Sequence, residues 1–495
     1  MKDLKTLENI LEHVEVLEIL GNPGIPVSDI QMDSRQVGPG HVFVALKGTR
    51  SDGHDFILQA VQNGASVIIC ENIPEEASNL VVWVRVASTP EALGKVSSSF
   101  FNHPSERFTL VGVTGTNGKT SIATFLYRLF EAHGIPSGLI STIQVCIHGR
   151  EKDTTHTTPD VVTLNRIMKE MVDAGCSHVF MEVSSHAIHQ KRIAGLKFNG
   201  AIFTNLSHDH LDYHGTFKEY LKTKKRFFDG LSEDAFALVN IDDRNGAVMV
   251  QNTRARVIPY AVRKMAEYRA GIVERNLEGT QIRIGEQEVW IPFVGDFNVY
   301  NILAVYATAD LLGLDREEAL KTISLLKPVP GRFEGIHSAR GALAIVDYAH
   351  TPDALLNVLK SVRPMRLARR KVITVVGAGG NRDRSKRPVM AMIATQYSDQ
   401  VILTSDNPRN EDPEDIIRDM LGGVPEEARD RVIQIINRKE AIRTACLLAG
   451  SSDIILVAGK GHETYQEIAG VRHHFDDREV IREIFAQQNH SITKR

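Results

Sequence analysis

Apolar residues come in short uninterrupted runs. VFVAL (42–46), ASVIIC (65–70) and LVVWVRV (80–86) are the first, with helix-like segments between them. FTLVGVT (108–114), HVFMEVS (178–184), GAIFTNL (200–206) and FALVNI (236–241) continue the series. LAIVDYAH (343–350), KVITVVGAGG (371–380), QVILTSD (400–406) and DIILVAGKGHE (453–463) close it. Runs of this length, rich in β-branched residues and ending in glycine or polar clusters, read as strands buried on both faces. Their alternation with helices predicts an α/β fold with mostly parallel sheets. The first twenty residues have apolar positions at helical spacing and acidic residues throughout, which predicts a surface helix and not a signal peptide. A helix is expected from about Lys119 to His133. Another is expected over 216–230, where Phe217, Tyr220, Leu221, Lys224, Phe227 and Phe228 share one face while Lys222 and Lys225 point elsewhere.

A chain of 495 residues is too long for one ordinary core. The turn-rich segments HPSERF (103–108) and PVPGRFE (328–334) divide it into units at 1–105, 106–330 and 331–495. The formal net charge of −3 gives no electrostatic reason to expect nucleic acid as a partner. Cys70, Cys146, Cys176 and Cys446 lie far apart, against a zinc ribbon or a disulfide scaffold, and fit a reducing compartment. No apolar run approaches the ~18 residues of a membrane span, so a cytoplasmic protein is expected.

Candidate chemistry starts at GVTGTNGKT (112–120), between a strand and a helix. Gly115 and Gly118 allow backbone N–H groups to curl around an anion, and the helix N-terminus adds partial positive charge. Lys119 can reach β- and γ-phosphates, and Thr120 can ligate Mg²⁺. Val113 stands where the usual Walker spacing has glycine, so the loop is a variant. Glu182, near the end of its strand, either faces a phosphate-bound metal or is a surface acid. NLSHDHLDYHG (205–215) gathers His208, Asp209, His210, Asp212 and His214. Zinc is conceivable from ligand types, but a Mg²⁺ or Mn²⁺ site using one histidine suits the nucleotide loop better. Lys224, inside an apolar stripe, either snorkels to solvent or is held for chemistry.

Many ordered motifs then add up. MDSRQVGPGHVFVALKG (32–48), VTGTNGKT (113–120), TTPD (157–160), MEVSSHA (181–187), FTNLSHDHLDYH (203–214), GDFNVYN (295–301), PGRFE (330–334), DYAHTPD (347–353), GGNRDRSKRP (379–388), TSDNPR (404–409) and AGKGHETYQ (458–466) resemble the Mur ligases over nearly the whole chain. The resemblance implies three domains: a small N-terminal α/β domain for a nucleotide sugar, a central P-loop ATPase domain, and a C-terminal Rossmann-like domain for the incoming amino acid. It implies an ADP-forming amide ligase of peptidoglycan synthesis, working through an acyl phosphate, with ATP as co-substrate and Mg²⁺ as cofactor. Lys119, Glu182, His210 and Lys224 would be catalytic. The metal would lie on Thr120, Glu182, His210 and Lys224, the lysine carbamylated by CO₂. ATP would meet Thr114, Gly115, Thr116, Asn117, Gly118, Lys119, Thr120, Asn301, Arg332 and Asp347. UDP-MurNAc-L-Ala-D-Glu would meet Ser34, Thr49, Arg50 and Ser51, and further along His156, Thr157, Thr158, Ser184, Gln190 and Arg192. His156 stands where relatives commonly carry Asn. Without the resemblance, Asn301 reads equally as a helix-start residue, Arg332 as a hinge charge and TTPD as a helix start.

The DNPR motif (406–409) points to the amino acid. Diaminopimelate differs from lysine by a distal carboxylate, and a guanidinium fork at Arg409 fits one. By resemblance, meso-diaminopimelate would contact Arg382, Asp406, Asn407, Pro408, Arg409, Gly459 and Glu463. Asn381 replaces an acid common in relatives. Locally, DNPR is also a good turn. The rival readings are folylpolyglutamate synthesis, lysine addition and a non-catalytic nucleotide binder. The first lacks the N-terminal pattern, the second lacks Arg409, and the third has no use for the catalytic set. A monomer without a membrane span is expected.

Overall fold

The computed structural model describes residues 5–48, 51–75, 78–152, 157–276, 278–362 and 370–490. Three large sheets organise it. In the first, β1 (Val16–Leu20), β2 (Asp29–Gln31), β3 (His41–Val44), β4 (Val67–Cys70) and β5 (Val82–Val86) run in the order β1-β5-β4-β3-β2, parallel except for β1. Alternate residues serve opposite faces: Val42, Val44, Val67 and Ile69 pack on α1 (Leu7–Leu11) and α3 (Thr89–Phe100), and Phe43, Ile68 and Trp83 on α2 (Ile57–Gln62).

The helix expected over the first twenty residues is cut short. A capping box from Thr6 starts α1, which ends at Leu11, and VLEIL becomes the edge strand β1. Ladder bonds to β5 outweigh a weak local helical preference there. The segment 103–108 is a docked turn: Pro104 and Ser105 are buried, and the Lys197 N–H donates to Ser105 Oγ at 3.1 Å. Nearby, α3 lies directly on the 191–195 segment. A Cβ on Gly94 would fall 2.5 Å from the Ala194 carbonyl oxygen.

The central sheet has eleven strands. They are β6 (Thr109–Thr114), β7 (Ser137–Ile140), β8 (Val145–Ile147), β9 (Arg150–Lys152), β10 (His178–Glu182), β11 (Gly200–Phe203), β12 (Phe236–Asn240), β13 (Arg256–Ala261), β14 (Tyr268–Arg275), β15 (Thr280–Ile284) and β16 (Gln287–Ile291). The order is β9-β8-β7-β10-β6-β11-β12-β13-β14-β15-β16, parallel from β7 to β14 and antiparallel at both ends. One face packs on α4 (Lys119–Ala132) and α8 (Asp296–Leu311), the other on α5 (Val161–Asp173) and α7 (Phe217–Asp229). The short α6 (Ser185–His189) follows β10.

The third sheet contains β17 (Glu334–His337), β18 (Leu343–Asp347), β19 (Val372–Ala378), β20 (Gln400–Ser405), β21 (Val432–Gln434) and β22 (Ile454–Ala458), ordered β17-β18-β22-β19-β20-β21. All but β17 are parallel. Helices α9 (Pro352–Val362), α10 (Lys386–Tyr397) and α11 (Pro413–Leu421) cover one face, α12 (Arg438–Leu448) and α13 (Asp477–His490) the other. A hairpin of β23 (Tyr465–Ile468) and β24 (Val471–His474) follows β22. Among the described residues no helix is long and apolar enough to cross a membrane.

Arg438 and Asp477 form a fully buried bidentate pair, with Nε and Nη2 each 2.8 Å from a carboxylate oxygen. The same guanidinium donates to the carbonyls of Ser405 (3.2 Å) and Ala458 (3.0 Å), which clamps the ends of β20 and β22 together. Breaking one side of such a pair leaves a bare buried charge. Arg438→Met should therefore cost ~3–5 kcal/mol in chemical denaturation, with Arg438→Met/Asp477→Leu recovering most of it. A single-variant loss below ~1 kcal/mol would show that water compensates the pair.

Candidate active site

The loop between β6 and α4 is built for a close-fitting anion. Gly118, the N-cap of α4, has φ 92°, and a Cβ there would come 2.6 Å from Asn301 Oδ1. A Cβ on Gly115 would lie 1.9 Å from Thr204 Oγ1. Both positions need glycine for space and for backbone freedom. Thr204 and Asn205, after β11, hold the loop: Thr204 Oγ1 donates to the Asn117 carbonyl at 2.6 Å, and the Asn117 N–H donates to Asn205 Oδ1 at 3.0 Å. Thr114 is buried at the end of β6, and Thr116 Oγ1 contacts the Tyr220 hydroxyl at 3.2 Å.

Three cations converge on this loop. Lys119 folds back so that Nζ donates to the carbonyls of Gly115 (3.0 Å) and Thr116 (2.8 Å). Burial pulls its pKa down, opposed by Glu182 and Asp209. Lys224 is buried on α7, so it does not snorkel to solvent. Its Nζ is 2.9 Å from the Gly115 carbonyl and 5.0 Å from the Tyr220 ring centroid. Burial, and then Lys119 beside it, push the Lys224 pKa well below the ordinary lysine value. Arg332 reaches over from the third sheet: Nη2 donates to Thr120 Oγ1 at 3.1 Å, and its guanidinium lies 4.5 Å from the Tyr348 ring. Its Nε is buried without a partner. This is a cleft-closing arginine, not a solvated hinge charge.

Acidic and imidazole groups face these cations. Glu182 is 1% exposed, so the surface-acid reading fails. The Thr142 N–H (2.6 Å) and hydroxyl (3.1 Å) both donate to its carboxylate. Asp209 is held 3.3 Å from His210 Nε2, and burial lowers the His210 pKa to about 3, so this imidazole is neutral at physiological pH. A hydroxyl at Thr120, a carboxylate at Glu182 and a neutral imidazole at His210 are a donor set that fits Mg²⁺ or Mn²⁺. Among the described residues no three or more His, Cys, Asp or Glu side chains come together as a site for a metal ion of any kind.

Thr157, Thr158, Ser184, Gln190 and Arg192 form one network beside Glu182. Thr157 Oγ1 lies 3.0 Å from Thr142 Oγ1, and Thr158 Oγ1 donates to the Glu182 carbonyl at 2.8 Å. Arg192 donates to the Thr158 carbonyl at 2.8 Å and through Nε and Nη2 to Gln190 Oε1. Ser184 caps α6, and Asp160 caps α5, so the TTPD segment is also a helix start. Thr49, Arg50 and His156 lie outside the described residues. Ser51 adjoins Asp52, which lines a cleft of about 340 Å³ with Lys47, His54, Ile57 and Glu71. Ser34 is buried, and its hydroxyl donates to Gln59 Oε1 at 2.8 Å.

The third sheet presents Asp406, Asn407, Pro408 and Arg409 after β20, Gly459 and Glu463 after β22, and Arg382 after β19. Asn407 Nδ2 donates to Glu463 Oε2 at 2.8 Å. A Cβ on Gly459 would meet Asp406 Oδ2 at 2.5 Å, and one on Gly379 would meet Arg409 Nη1 at 3.0 Å and Arg382 Cγ at 3.7 Å. Arg409 Nη1 donates to the Gly380 carbonyl at 2.8 Å. Asp347 is buried, accepts from the Phe333 N–H at 2.7 Å, and is pushed by burial to a pKa of about 6. Asn301 Nδ2 is bonded to Asn298 Oδ1 at 3.3 Å inside α8, with its Oδ1 toward the phosphate loop.

The two sheets meet across the cleft through Asn117 and Asp353 (3.4 Å), His208 and Asp383 (3.6 Å), and the Arg332–Thr120 bond (3.1 Å). Left-handed backbone concentrates here: Lys191, His210, Phe333, Asn381 and Arg409 all have φ between 51° and 56°. Such strain persists where the surroundings enforce it, commonly at functional sites. It also accounts for Asn381, since asparagine tolerates this region better than most residues. Sequence reading missed Thr142, Thr204, Asn205, Asp353, Lys386 and Lys460, and quoted Asp209 without a role. All but Thr142 lay inside quoted motifs; Thr142 carried no signal.

This geometry agrees with family comparison. The family models described as Mur ligase family, catalytic domain, Mur ligase middle domain and Mur ligase, glutamate ligase domain match residues 26–101, 113–309 and 331–461. The chain belongs to the Mur ligase family. It is 53% identical to the UDP-N-acetylmuramoyl-L-alanyl-D-glutamate--2,6-diaminopimelate ligase of Phocaeicola vulgatus, over 97% of this chain and 100% of that one. It is 52% identical to the ligase of the same name from Bacteroides fragilis, over 97% and 99%. A solved structure bearing that name is 32% identical, covers 98% of this chain and 99% of its own, and superposes with a TM-score of 0.69.

Gly118→Ala should weaken ATP binding by roughly 10-fold or more, from backbone strain and the collision with Asn301. Titration with a fluorescent ATP analogue checks this. Affinity equal to the parent would show that the loop relaxes without cost.

Proposed function

We propose that this chain joins meso-2,6-diaminopimelate to UDP-MurNAc-L-Ala-D-Glu with hydrolysis of ATP to ADP and phosphate, a step of peptidoglycan synthesis. One observation supports the reading: the phosphate loop is joined to the third sheet, whose strand ends carry the Asp406–Arg409 loop, by the Arg332–Thr120, Asn117–Asp353 and His208–Asp383 contacts. The near-full-length similarity to curated diaminopimelate ligases supports the same substrates. We assign 1–105 to the nucleotide sugar, 106–330 to ATP and 331–495 to the incoming amino acid, in a cytoplasmic monomer. The four buried free thiols suit a reducing compartment.

The γ-carboxylate of D-glutamate attacks the γ-phosphorus, the bond to the β-phosphate oxygen breaks, and ADP forms beside an acyl phosphate. The free amine of diaminopimelate then attacks the acyl carbon. The C–O bond to phosphate breaks, the nitrogen loses a proton, and amide and inorganic phosphate result. Lys119 and Arg332 neutralise charge on the transferring group. Arg192 and the Thr157–Thr158 hydroxyls hold the carboxylate-bearing arm. Asn301 and Asp347 complete the contacts to ATP. Mg²⁺ would sit on Thr120, Glu182, His210 and Lys224 as its carbamate, and when bound supplies positive charge to the phosphate oxygens.

Burial explains why Lys224 suits carbamylation. Its lowered pKa leaves a reactive free amine, which attacks CO₂ and releases one proton. The product is an anion beside Lys119, so the neighbour that disfavours a protonated Lys224 favours its carbamate. Enzyme equilibrated with ¹³C-bicarbonate should show a carbamate carbon resonance that Lys224→Arg lacks, with activity lost in the variant. A resonance unchanged in the variant refutes the assignment.

A phosphate-release assay with UDP-MurNAc-L-Ala-D-Glu and a panel of amino acids tests the whole reading. Turnover is expected with meso-diaminopimelate and not with lysine or L-glutamate. Arg409→Ala should lower kcat/KM for diaminopimelate by on the order of 100-fold through the lost charged pair, with KM for ATP changed less than ~3-fold. Parent kinetics for diaminopimelate in that variant would refute Arg409 as the specificity residue.

A further inference from the structure

Lys460 carries no role in the reaction described so far, yet it is among the most thoroughly enclosed charges in the molecule. It is 0% exposed. Its Nζ donates to Glu463 Oε2 at 2.9 Å and to Asn407 Oδ1 at 3.1 Å, and lies 5.4 Å from the Tyr465 ring centroid. A buried ammonium is costly unless paired, so a lysine held this way is tied to the groups it touches. Both of its hydrogen-bonding partners belong to the proposed amino-acid site.

The bonds spread outward from there. Asn407 Oδ1 also accepts from the Glu467 N–H at 2.9 Å, and two donors on one oxygen fix which way the amide faces. Asn407 Nδ2 then points to Glu463 Oε2. The Glu467 carbonyl in turn accepts from the Arg409 N–H at 3.0 Å. Lys460 thus underlies both ends of the site: the carboxylate of Glu463 and, through Asn407 and β23, the left-handed backbone that presents Arg409.

Charge counting gives the second half of the argument. Asp406 and Glu463 are two carboxylates in one buried corner, and each makes ionisation of the other harder. Lys460 is the cation that holds them ionised together. It uses Glu463 Oε2, as does Asn407, while Asp406 Oδ1 takes the Asn407 N–H at 2.7 Å. Glu463 Oε1 and Asp406 Oδ2 are the carboxylate oxygens left to receive a substrate ammonium.

We propose that Lys460 is a positioning residue for the incoming amino acid: it fixes Glu463 and Asn407 so that one remaining carboxylate face grips the substrate ammonium while Arg409 meets the distal carboxylate. This rests on the diaminopimelate assignment above. The parent enzyme separates the two ideas, since failure of parent turnover with meso-diaminopimelate overturns the substrate reading itself.

With parent turnover established, Lys460→Met should raise KM for meso-diaminopimelate roughly 10- to 100-fold, the size expected for a lost charged hydrogen bond, with a smaller change in kcat. Because part of the effect of Lys460 runs through Glu463, the KM rise in Lys460→Met/Glu463→Gln should fall well short of the product of the two single rises. The double variant removes both charges and so keeps the test open if the single one folds poorly. Lys460→Gln, which retains a donor, should recover part of the KM. Independent, multiplying KM effects in the double variant, or an unchanged KM in Lys460→Met, would overturn the proposal and leave Lys460 a structural pair.

Discussion

The reaction requires two anions, a carboxylate and a terminal phosphoryl group, to approach within bonding distance. At ~4 Å and an effective dielectric near 20, two unit charges repel by about 4 kcal/mol, before any bond has changed. The structure meets this constraint by concentrating cations where water is scarce. Lys119 and Arg332 meet at one loop, and Glu182 and Asp209 oppose the loss of charge that burial imposes on Lys119. The same dryness that makes those charges effective also depresses the lysine pKa values. The chemistry and the burial are therefore one property.

A site of this kind cannot be built from one sheet. The phosphate loop leaves the carboxyl end of β6, Glu182 ends β10, Thr204 follows β11, and Asp347, Asp406 and Gly459 follow β18, β20 and β22. Open parallel sheets offer their strand ends as ligand sites, and here two such ends face each other. Glycines mark where backbone must approach most closely. A Cβ at Gly331 would stand 2.0 Å from the His462 N, so the boundary between the sheets is pressed directly against the loop that carries Glu463.

Much of this was legible in the residues. Strand runs ending in glycine or charge located every strand that bears a predicted site residue on the second and third sheets, because a doubly covered strand has few alternatives to an unbroken apolar run. Lys224 stood out for the opposite reason, as a charge inside an apolar stripe. The misreadings are also physical. Val16–Leu20 has helical spacing but found an open sheet edge. Thr142 was invisible because a hydroxyl and an N–H become important only when the fold sets them against Glu182.

The backbone at Arg409 has a consequence for how this chain tolerates change. Its φ of 53° carries a cost of order 1–3 kcal/mol for a residue with a side chain of this kind. Glycine or asparagine would relieve it, so a search for sturdier variants would favour replacing this arginine. Yet under the proposed assignment it is the guanidinium that meets the distal carboxylate of the incoming amino acid. At this residue, robustness and selectivity are rewarded by opposite substitutions, and the arginine persists only under demand for its charge.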